Sequence, residues 1–165
     1  MWGSGTNIYG PSDQFHYVNQ VMYTNGQIVA EVLSFQSSQT VAPWAKGGVM
    51  IRQGLTADSA NALVDLTGAN GVEFNYRTNT GATTVHAVTN GPAAPYWVKL
   101  VRSNSTNFTA SCSPDGSTWT TVGAGTVSIP AMNVNPISIG LIVCSATNGV
   151  LCTNVFNHVT ITPGP

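Results

Sequence analysis

The chain has 165 residues, of which 42% are hydrophobic and only 7% are charged. This length suits a single domain with a sizeable core, and the hydrophobic fraction argues against disorder. A net charge of −1 argues against general binding to nucleic acid or to an anionic membrane surface. No apolar run in the sequence approaches the ~18 residues of a membrane span.

Short runs of alternating polar and apolar residues predict strands along the whole chain, with turn dipeptides such as Asn25-Gly26 and Asn148-Gly149 between them. In chain order the predicted strands are 14–22, 27–35, 48–53, 61–66, 71–77, 83–88, 97–102, 107–113, 119–122, 137–144 and 150–161. One helical turn is expected after Thr56. Strands at this spacing predict an all-β, antiparallel two-sheet sandwich over residues 1–161, with 162–165 as the start of a linker.

The alternation also predicts where the three cysteines lie. It places Cys144 and Cys152 on the same face of successive strands. A loop centred on Asn148 would bring the two thiols opposite each other and permit a disulfide, whereas a two-residue Asn148-Gly149 turn would shift the register and separate them. Cys112 is predicted to be a buried free thiol. In the last strand the alternation assigns to the core Leu151, Val155, Val159 and Ile161.

Four segments carry a resemblance to known proteins: 13–18, 43–52, 96–102 and 113–119. With them the chain resembles bacterial extracellular modules of the concanavalin A-like lectin/glucanase superfamily, which are laminin-G-like jelly rolls attached to secreted enzymes and surface proteins. The resemblance covers nearly the whole chain. It implies a jelly roll, an extracellular location, attachment to a secreted enzyme, and carbohydrate binding as the commonest role. It also allows a structural calcium ion on loop carbonyls, at a place that the sequence does not specify.

Catalysis has less support than binding. Related glucanases carry Glu-x-Asp-x-x-Glu along one strand, whereas the six acidic residues here are scattered. Hydrolysis of a glycosidic bond needs two carboxylates that flank it, so a pair such as Glu31 and Asp65 would have to meet across strands. The three histidines lack metal-ligand spacing and are expected to be ordinary strand residues.

The strand faces predicted to point outward gather charged and amide side chains, which suit sugar hydroxyls. The alternative is the solvated face of an antiparallel sheet. Arg52 and Arg77 are the main candidates because planar guanidinium groups fit vicinal hydroxyls or carboxylates, and their structural alternative is pairing with Asp65 or Glu73. The outward set is Gln14, His16, Glu31, Met50, Arg52, Asn61, Asp65, Glu73, Asn75, Arg77 and His86.

Exposed aromatic rings at loop–strand junctions are a second kind of candidate, because sugar rings stack on them. Trp44 leads this group, and packing in the core is the alternative for each ring. The sequence therefore predicts a module that binds a polysaccharide or other glycan. The alternatives are a self-assembling surface or filament domain and a polysaccharide-active enzyme. The predicted ligand-binding residues are Arg52, Arg77, His16, Asp65, Asn75, Trp44 and Tyr96.

Overall fold

A computed structural model describes residues 1–164, which form fourteen strands and one short 3₁₀ segment, Pro130–Met132. The strands are β1 (Trp2–Gly5), β2 (Asn7–Tyr9), β3 (Ser12–Gln14), β4 (His16–Met22), β5 (Gly26–Ser37), β6 (Lys46–Arg52), β7 (Asn61–Thr67), β8 (Val72–Arg77), β9 (Val85–Thr89), β10 (Tyr96–Ser103), β11 (Asn107–Ser113), β12 (Thr120–Ser128), β13 (Ile137–Cys144) and β14 (Thr147–Pro163).

Two six-stranded antiparallel sheets pack face to face. Sheet I has the order β1-β14-β5-β10-β11-β12 and sheet II the order β4-β13-β6-β7-β8-β9, while β2 and β3 form a separate hairpin. The predicted antiparallel sandwich of jelly-roll type is confirmed. Strands β1, β2 and β3 were not predicted, apart from Gln14 at the end of β3, which the prediction joined to β4 in one strand. The expected helical turn is a hydrogen-bonded turn in which the Ser59 amide donates to the Thr56 carbonyl.

The main core lies between the inner faces of the two sheets. Alternate residues of each strand supply it, since successive side chains of a strand point to opposite faces. Ile28 and Leu100 from sheet I meet Val64 and Ile139 from sheet II, and all four are 0% exposed. Each such side chain contributes about 1.5–3 kcal/mol on burial, which makes this layer the main source of stability.

The central strands of sheet II are buried on both faces: every residue of β6 and of β7 is buried. The cover on the outer side is the β2–β3 hairpin, whose Ile8 packs against Met50, Leu63 and Ile142. Antiparallel sheets commonly leave one face to water. Here, polar residues predicted to face solvent are enclosed instead.

The predicted disulfide between Cys144 and Cys152 is wrong, because β13 and β14 lie in different sheets and form no hairpin. Cys144 packs with Met50 and Leu63 on the outer side of sheet II, whereas Cys152 packs with Val143, whose side chain points to the other face of β13. All three cysteines in residues 1–164 are buried free thiols, as predicted for Cys112.

The buried face of β14 also differs from the prediction over most of its length. Leu151, Val155 and Val159 are 48%, 40% and 41% exposed, whereas Cys152 and Asn154 are buried. This segment has apolar side chains at both odd and even positions, so alternation alone does not select its face. Irregularities in the pairing with β5 at Val155/Phe156 and Asn157/Thr160 then shift the phase, and Ile161 packs against the core.

Strand β14 continues beyond the predicted end of the domain. Thr162 pairs with Gln27 and Pro163 with Gly26, and the Gly164 amide donates to the Asn25 carbonyl at 2.7 Å. Of the predicted linker start, 162–165, Pro165 lies outside the described residues. A helix long and apolar enough to cross a membrane is not found among residues 1–164.

Candidate functional site

The outer face of sheet II carries two charged clusters, and strand register determines their places. Arg52, Asn61 and Arg77 are paired across β6, β7 and β8 at one end of the face, while Gly48, Asp65 and Glu73 are paired across the same strands nearer the other end. We call Asp13, Arg52 and Arg77 the arginine cluster. Lys46, Asp65, Glu73 and Asn75 form the lysine cluster.

The charged groups of the arginine cluster are buried and hydrogen-bonded, although Oδ1 of the neighbouring Asn61 has no hydrogen-bond partner among residues 1–164. Arg77 donates from Nη2 to Asp13 Oδ1 at 2.6 Å and from Nη1 to Asp13 Oδ2 at 2.9 Å. Arg52 Nη1 donates to Asp13 Oδ2 at 3.0 Å. The side chains of Asp13 and Arg77 are 0% exposed and that of Arg52 is 2% exposed. Further guanidinium donors reach backbone carbonyls such as Gly10, Gly54, Thr56 and Ala82.

Arg52 and Arg77 therefore have a different role from the predicted one. They lie on the predicted face, but Asp13 of the β2–β3 hairpin takes their paired donors and buries them. Their acidic partner is Asp13 rather than Asp65 or Glu73. A buried pair of this kind is costly to break, because removing one partner leaves an uncompensated charge. The arginine cluster thus holds the hairpin on the sheet and offers no free donor to a ligand.

The lysine cluster is less completely bonded. Lys46 Nζ pairs with Glu73 Oε2 and lies 4.0 Å from Asp65 Oδ2. Asn75 Nδ2 donates to Asp65 Oδ1 at 3.2 Å and to Glu73 Oε2 at 3.3 Å. Within residues 1–164, the buried atoms Asp65 Oδ2 and Asn75 Oδ1 have no hydrogen-bond partner. Buried polar atoms are nearly always bonded, so this cluster departs from the usual pattern of a structural core.

Burial controls the charges of this cluster. Burial raises the pKa of Asp65 well above its usual value, and the Lys46 ammonium counteracts only part of that effect. Burial lowers the pKa of Lys46, but the carboxylates of Asp65 and Glu73 outweigh it and raise that pKa overall. Lys46 therefore holds its proton more tightly beside the two carboxyl groups, and Asp65 ionises at a higher pH than a solvent-exposed carboxyl group does.

A pocket of about 210 Å³ opens beside the lysine cluster and is lined by Asn7, Tyr9, Trp44, Lys46, Glu73 and His86. The Trp44 and Tyr9 side chains are large and exposed, at 42% and 45%. Lys46 Nζ lies 5.5 Å from the centroid of the Trp44 ring, and the Tyr9 and His86 rings meet edge to face at 5.3 Å. His86 Nδ1 is 3.6 Å from Glu73 Oε1. Exposed aromatic rings thus adjoin buried charged groups, an arrangement typical of ligand sites.

Local backbone features position these side chains. Tyr9 ends β2 directly before Gly10, whose φ of 75° reverses the chain into β3. Trp44 precedes β6, which begins with Lys46, and His86 comes from β9 at the edge of sheet II. Gly48 lies directly across from Asp65, and a Cβ at Gly48 would clash with the Asp65 side chain at 2.7 Å.

The other predicted ligand-binding residues divide into two groups. Asp65, Asn75 and Trp44 come together at or beside the pocket. His16 does not, because β4 is the opposite edge strand of sheet II from β9, and its ring stacks on Trp2 at 6.4 Å. Tyr96 lies on β10 of sheet I and packs against the main core.

Sequence reasoning did not select Lys46, Tyr9 or Asn7, and it left Glu73 and His86 among the general outward set. The Gly10-Pro11 dipeptide is a turn signal that could have indicated the β2–β3 hairpin. Lys46 also shares the alternation of Gly48, Met50 and Arg52. Nothing local in the sequence shows that the hairpin folds onto sheet II.

The acid pair considered for hydrolysis does not form, because Glu31 pairs with Trp97 in sheet I while Asp65 lies in sheet II. Among residues 1–164, no group of three or more His, Cys, Asp or Glu side chains could hold a metal ion. The calcium expectation rests on loop carbonyls and stays a prediction.

Three larger pockets occur among the described residues, and two of them lie away from the outer face of sheet II. One of about 460 Å³ is lined by uncharged residues around Phe35 and Ala69. The other, of about 350 Å³, includes Arg102, whose guanidinium donates to the carbonyls of Thr24, Ser105, Met132 and Val134. Neither of these two pockets combines an exposed aromatic ring with an available charged group.

No family model matches the chain, and no curated protein matches it in sequence. Solved structures do match in fold. A functionally unknown protein from Saccharomyces cerevisiae has a TM-score of 0.70 at 15% identity, over 98% of this chain and 85% of that one.

Two further matching structures are longer chains than this one. The GH43 protein BlXynB from Bacillus licheniformis gives a TM-score of 0.60 at 10% identity, over 90% of this chain and 33% of its own. An alginate lyase from Klebsiella pneumoniae gives a TM-score of 0.52 at 12% identity, over 86% of this chain and 61% of its own. This chain thus spans about a third of the GH43 protein and less than two thirds of the alginate lyase. At these identities the likeness establishes the β-sandwich fold alone.

Proposed function

We propose that this domain is a non-catalytic carbohydrate-binding module of the concanavalin A-like kind. Its binding site is the pocket lined by Tyr9, Trp44, Lys46, Glu73 and His86. One observation carries the proposal: two exposed aromatic rings and a buried, hydrogen-bonding charge cluster share a single pocket. Aromatic rings offer apolar faces for a sugar ring, and charged groups make strong hydrogen bonds to hydroxyls.

The proposed roles of the site residues differ with their depth in the pocket. Lys46, Glu73 and His86 line the pocket. The side chain of His86 is 43% exposed and those of Lys46 and Glu73 are 3% and 2% exposed, so His86 is the most accessible of the three to a sugar hydroxyl. Asp65 and Asn75 are 0% exposed and lie behind them. Asn75 fixes Glu73 through a hydrogen bond and Asp65 faces Lys46. This second layer holds the contacting groups in place, which lowers the entropy lost on binding.

The same geometry supports binding over hydrolysis. A glycosidase needs two carboxylates that reach either side of the scissile bond. The carboxylates that do meet here, Asp65 and Glu73, have side chains 0% and 2% exposed, and Glu73 is already paired with Lys46. Two free carboxylates therefore do not flank this pocket, which favours recognition over bond cleavage.

The location and context of the module are part of the proposal. The low charge content agrees with a secreted β-domain, and we propose that the module acts outside the cell, joined to an enzyme that acts on polysaccharide. Supporting this context, the chain matches a part, not the whole, of the GH43 protein and of the alginate lyase.

The test is binding to immobilised and soluble xylan, β-glucan, arabinan and alginate, with the Trp44→Ala and Trp2→Ala variants side by side. Trp2 is the matched control, because it is 64% exposed but lies away from the pocket. We expect one or more glycans to be retained, with a loss of about tenfold or more in affinity for Trp44→Ala, equivalent to about 1.4 kcal/mol. Trp2→Ala should bind like the parent. Absence of binding to every glycan, or equal losses in both variants, would contradict the proposal.

A second candidate function is self-association, which the edge strand β4 favours. Val18, Val21 and Tyr23, on and just after β4, are 54%, 54% and 65% exposed. Exposed edge strands with apolar side chains can pair with another copy. Sedimentation over a wide concentration range tests this candidate. A dimer that the Val21→Lys variant dissociates supports it, and a concentration-independent monomer rejects it.

A further inference from the structure

The β2–β3 hairpin divides the outer face of sheet II into two separate pockets. The pocket of about 210 Å³ is lined by β2 residues Asn7 and Tyr9 together with residues just before and at the start of β6 and on β8 and β9, namely Trp44, Lys46, Glu73 and His86. A second pocket, of about 350 Å³, is lined by β3 residues Asp13 and Gln14 together with Tyr17 and Asn19 of β4. The hairpin stands between them, with Ile8 packed on the middle of the sheet.

The hairpin is held firmly along its length. Asp13 makes three hydrogen bonds to the buried guanidinium groups of Arg52 and Arg77. The Gly10 carbonyl at the turn accepts from Arg77 Nη2 at 3.0 Å and from the Thr84 hydroxyl at 2.9 Å. The Asp13 amide donates to the Ala57 carbonyl at 2.9 Å. Displacing the hairpin would expose charged groups that are now paired, so it acts as a fixed wall.

A long glycan therefore has no continuous path across the outer face of sheet II. A chain lying across the strands would meet the hairpin above Met50 and Leu63. The pocket beside the lysine cluster is open to solvent through Trp44 and Tyr9 and bounded by β2 on one side. At about 210 Å³ the pocket is smaller than the roughly 300–1,000 Å³ of a site for a drug-sized ligand, so its size suits a single saccharide unit better than an internal stretch of polymer.

We propose that the pocket beside the lysine cluster binds the terminal residue of a glycan chain and does not bind internal residues. This inference rests on the proposed function, since it specifies which part of a glycan the same site takes. Tyr9, at the end of β2, is the wall residue that enforces it. Trp44 supplies a surface for the sugar ring, and Lys46 and Glu73 supply hydrogen bonds to its hydroxyls.

The experiment uses calorimetry to compare short oligosaccharides with intact polymers of xylan, β-glucan, arabinan and alginate. The affinity from each titration is calculated once per mole of chain ends and once per mole of internal residues. We expect the affinity per chain end to be the same for short and long chains. An affinity that rises with the number of internal residues overturns the terminal-residue inference and leaves the proposed function intact. Absence of binding to any saccharide overturns the proposed function itself.

The hairpin wall is tested with Tyr9→Ala, and Tyr23→Ala serves as the matched control because Tyr23 is 65% exposed and remote from the pocket. Circular dichroism and thermal melting establish that both variants fold. We expect Tyr9→Ala to lose about tenfold or more in affinity for a short oligosaccharide, and Tyr23→Ala to bind like the parent. Unchanged affinity in a folded Tyr9→Ala variant shows that the hairpin is not part of the site and overturns the inference.

Discussion

The two charged clusters of sheet II lie on one face of one sheet, yet they are built differently. In the arginine cluster, one carboxylate meets two guanidinium groups and the remaining donors reach carbonyls. In the lysine cluster, two carboxyl groups meet one ammonium group, and two buried oxygens have no partner among residues 1–164. The first lies beneath the β2–β3 hairpin and the second adjoins a pocket with exposed aromatic rings.

This difference separates a structural role from a binding role. Breaking a buried, fully paired charge cluster is costly because it leaves an uncompensated charge, which ties such a cluster to the fold. Buried polar atoms without a hydrogen-bond partner are unusual, and a bound polar ligand would supply the missing partners. Both clusters contain residues predicted to bind ligand. Charge and outward orientation therefore did not distinguish them, whereas the hydrogen bonding of their charged groups does: the Asp13 carboxylate is fully bonded, and Asp65 Oδ2 has no hydrogen-bond partner among residues 1–164.

The largest expected effect comes from the Asp13→Asn variant. It leaves Arg52 and Arg77 buried without a counter-charge, so we expect the free energy of unfolding to fall by about 3–5 kcal/mol. Urea denaturation measures the change. Asp58→Asn is the matched control, because its half-buried carboxyl makes no ion pair among the described residues, and it should stay within about 0.5 kcal/mol. A similar small loss for Asp13→Asn would mean that the arginine cluster does not hold the hairpin.

A smaller, pH-dependent effect is expected from Asp65→Asn. Burial raises the pKa of Asp65 in the folded domain. As pH rises above the unfolded value of 3.8, the unfolded chain loses this proton first. Ionisation then favours unfolding, so stability falls by up to about 1.4 kcal/mol per pH unit until the folded pKa is passed. Asparagine removes this dependence.

We therefore expect Asp65→Asn to match the parent most closely near pH 4 and to gain stability relative to it as pH rises. Urea denaturation over a pH series measures this difference, and the acidic end of the series is the internal control. Parallel pH profiles for the two proteins would show that Asp65 is ionised in the fold, and the contrast between the two clusters would then weaken.

The smallest effect concerns Cys144, which lies directly across from Lys46. Burial raises its pKa to about 11, and the thiolate is the reactive form. We expect negligible labelling by a thiol reagent in the native protein at neutral pH and labelling of all three cysteines after denaturation. Rapid native labelling lost in Cys144→Ser would show that this end of the lysine cluster opens readily to solvent.

Individual residues show how far sequence reasoning extends. Alternation placed Arg52, Asp65, Asn75 and Arg77 on one face, and the register confirms it. It did not show that this face is covered, because β2 and β3 are only three residues each. In β14, apolar residues of both parities left the buried face undetermined, and the irregular pairing with β5 then altered its phase.

The sequence by itself determined the strand-rich sandwich, most strand positions, the turns and the outer face of sheet II. These follow from period-two alternation and turn residues, which are local properties of the chain. The tertiary structure alone decided that Asp13 reaches Arg77, sixty-four positions away, that β13 and β14 separate into different sheets, and that Tyr9 meets His86. Such contacts depend on how distant segments pack, because side-chain partners in an antiparallel sandwich are set by sheet order and cover rather than by neighbours in the chain.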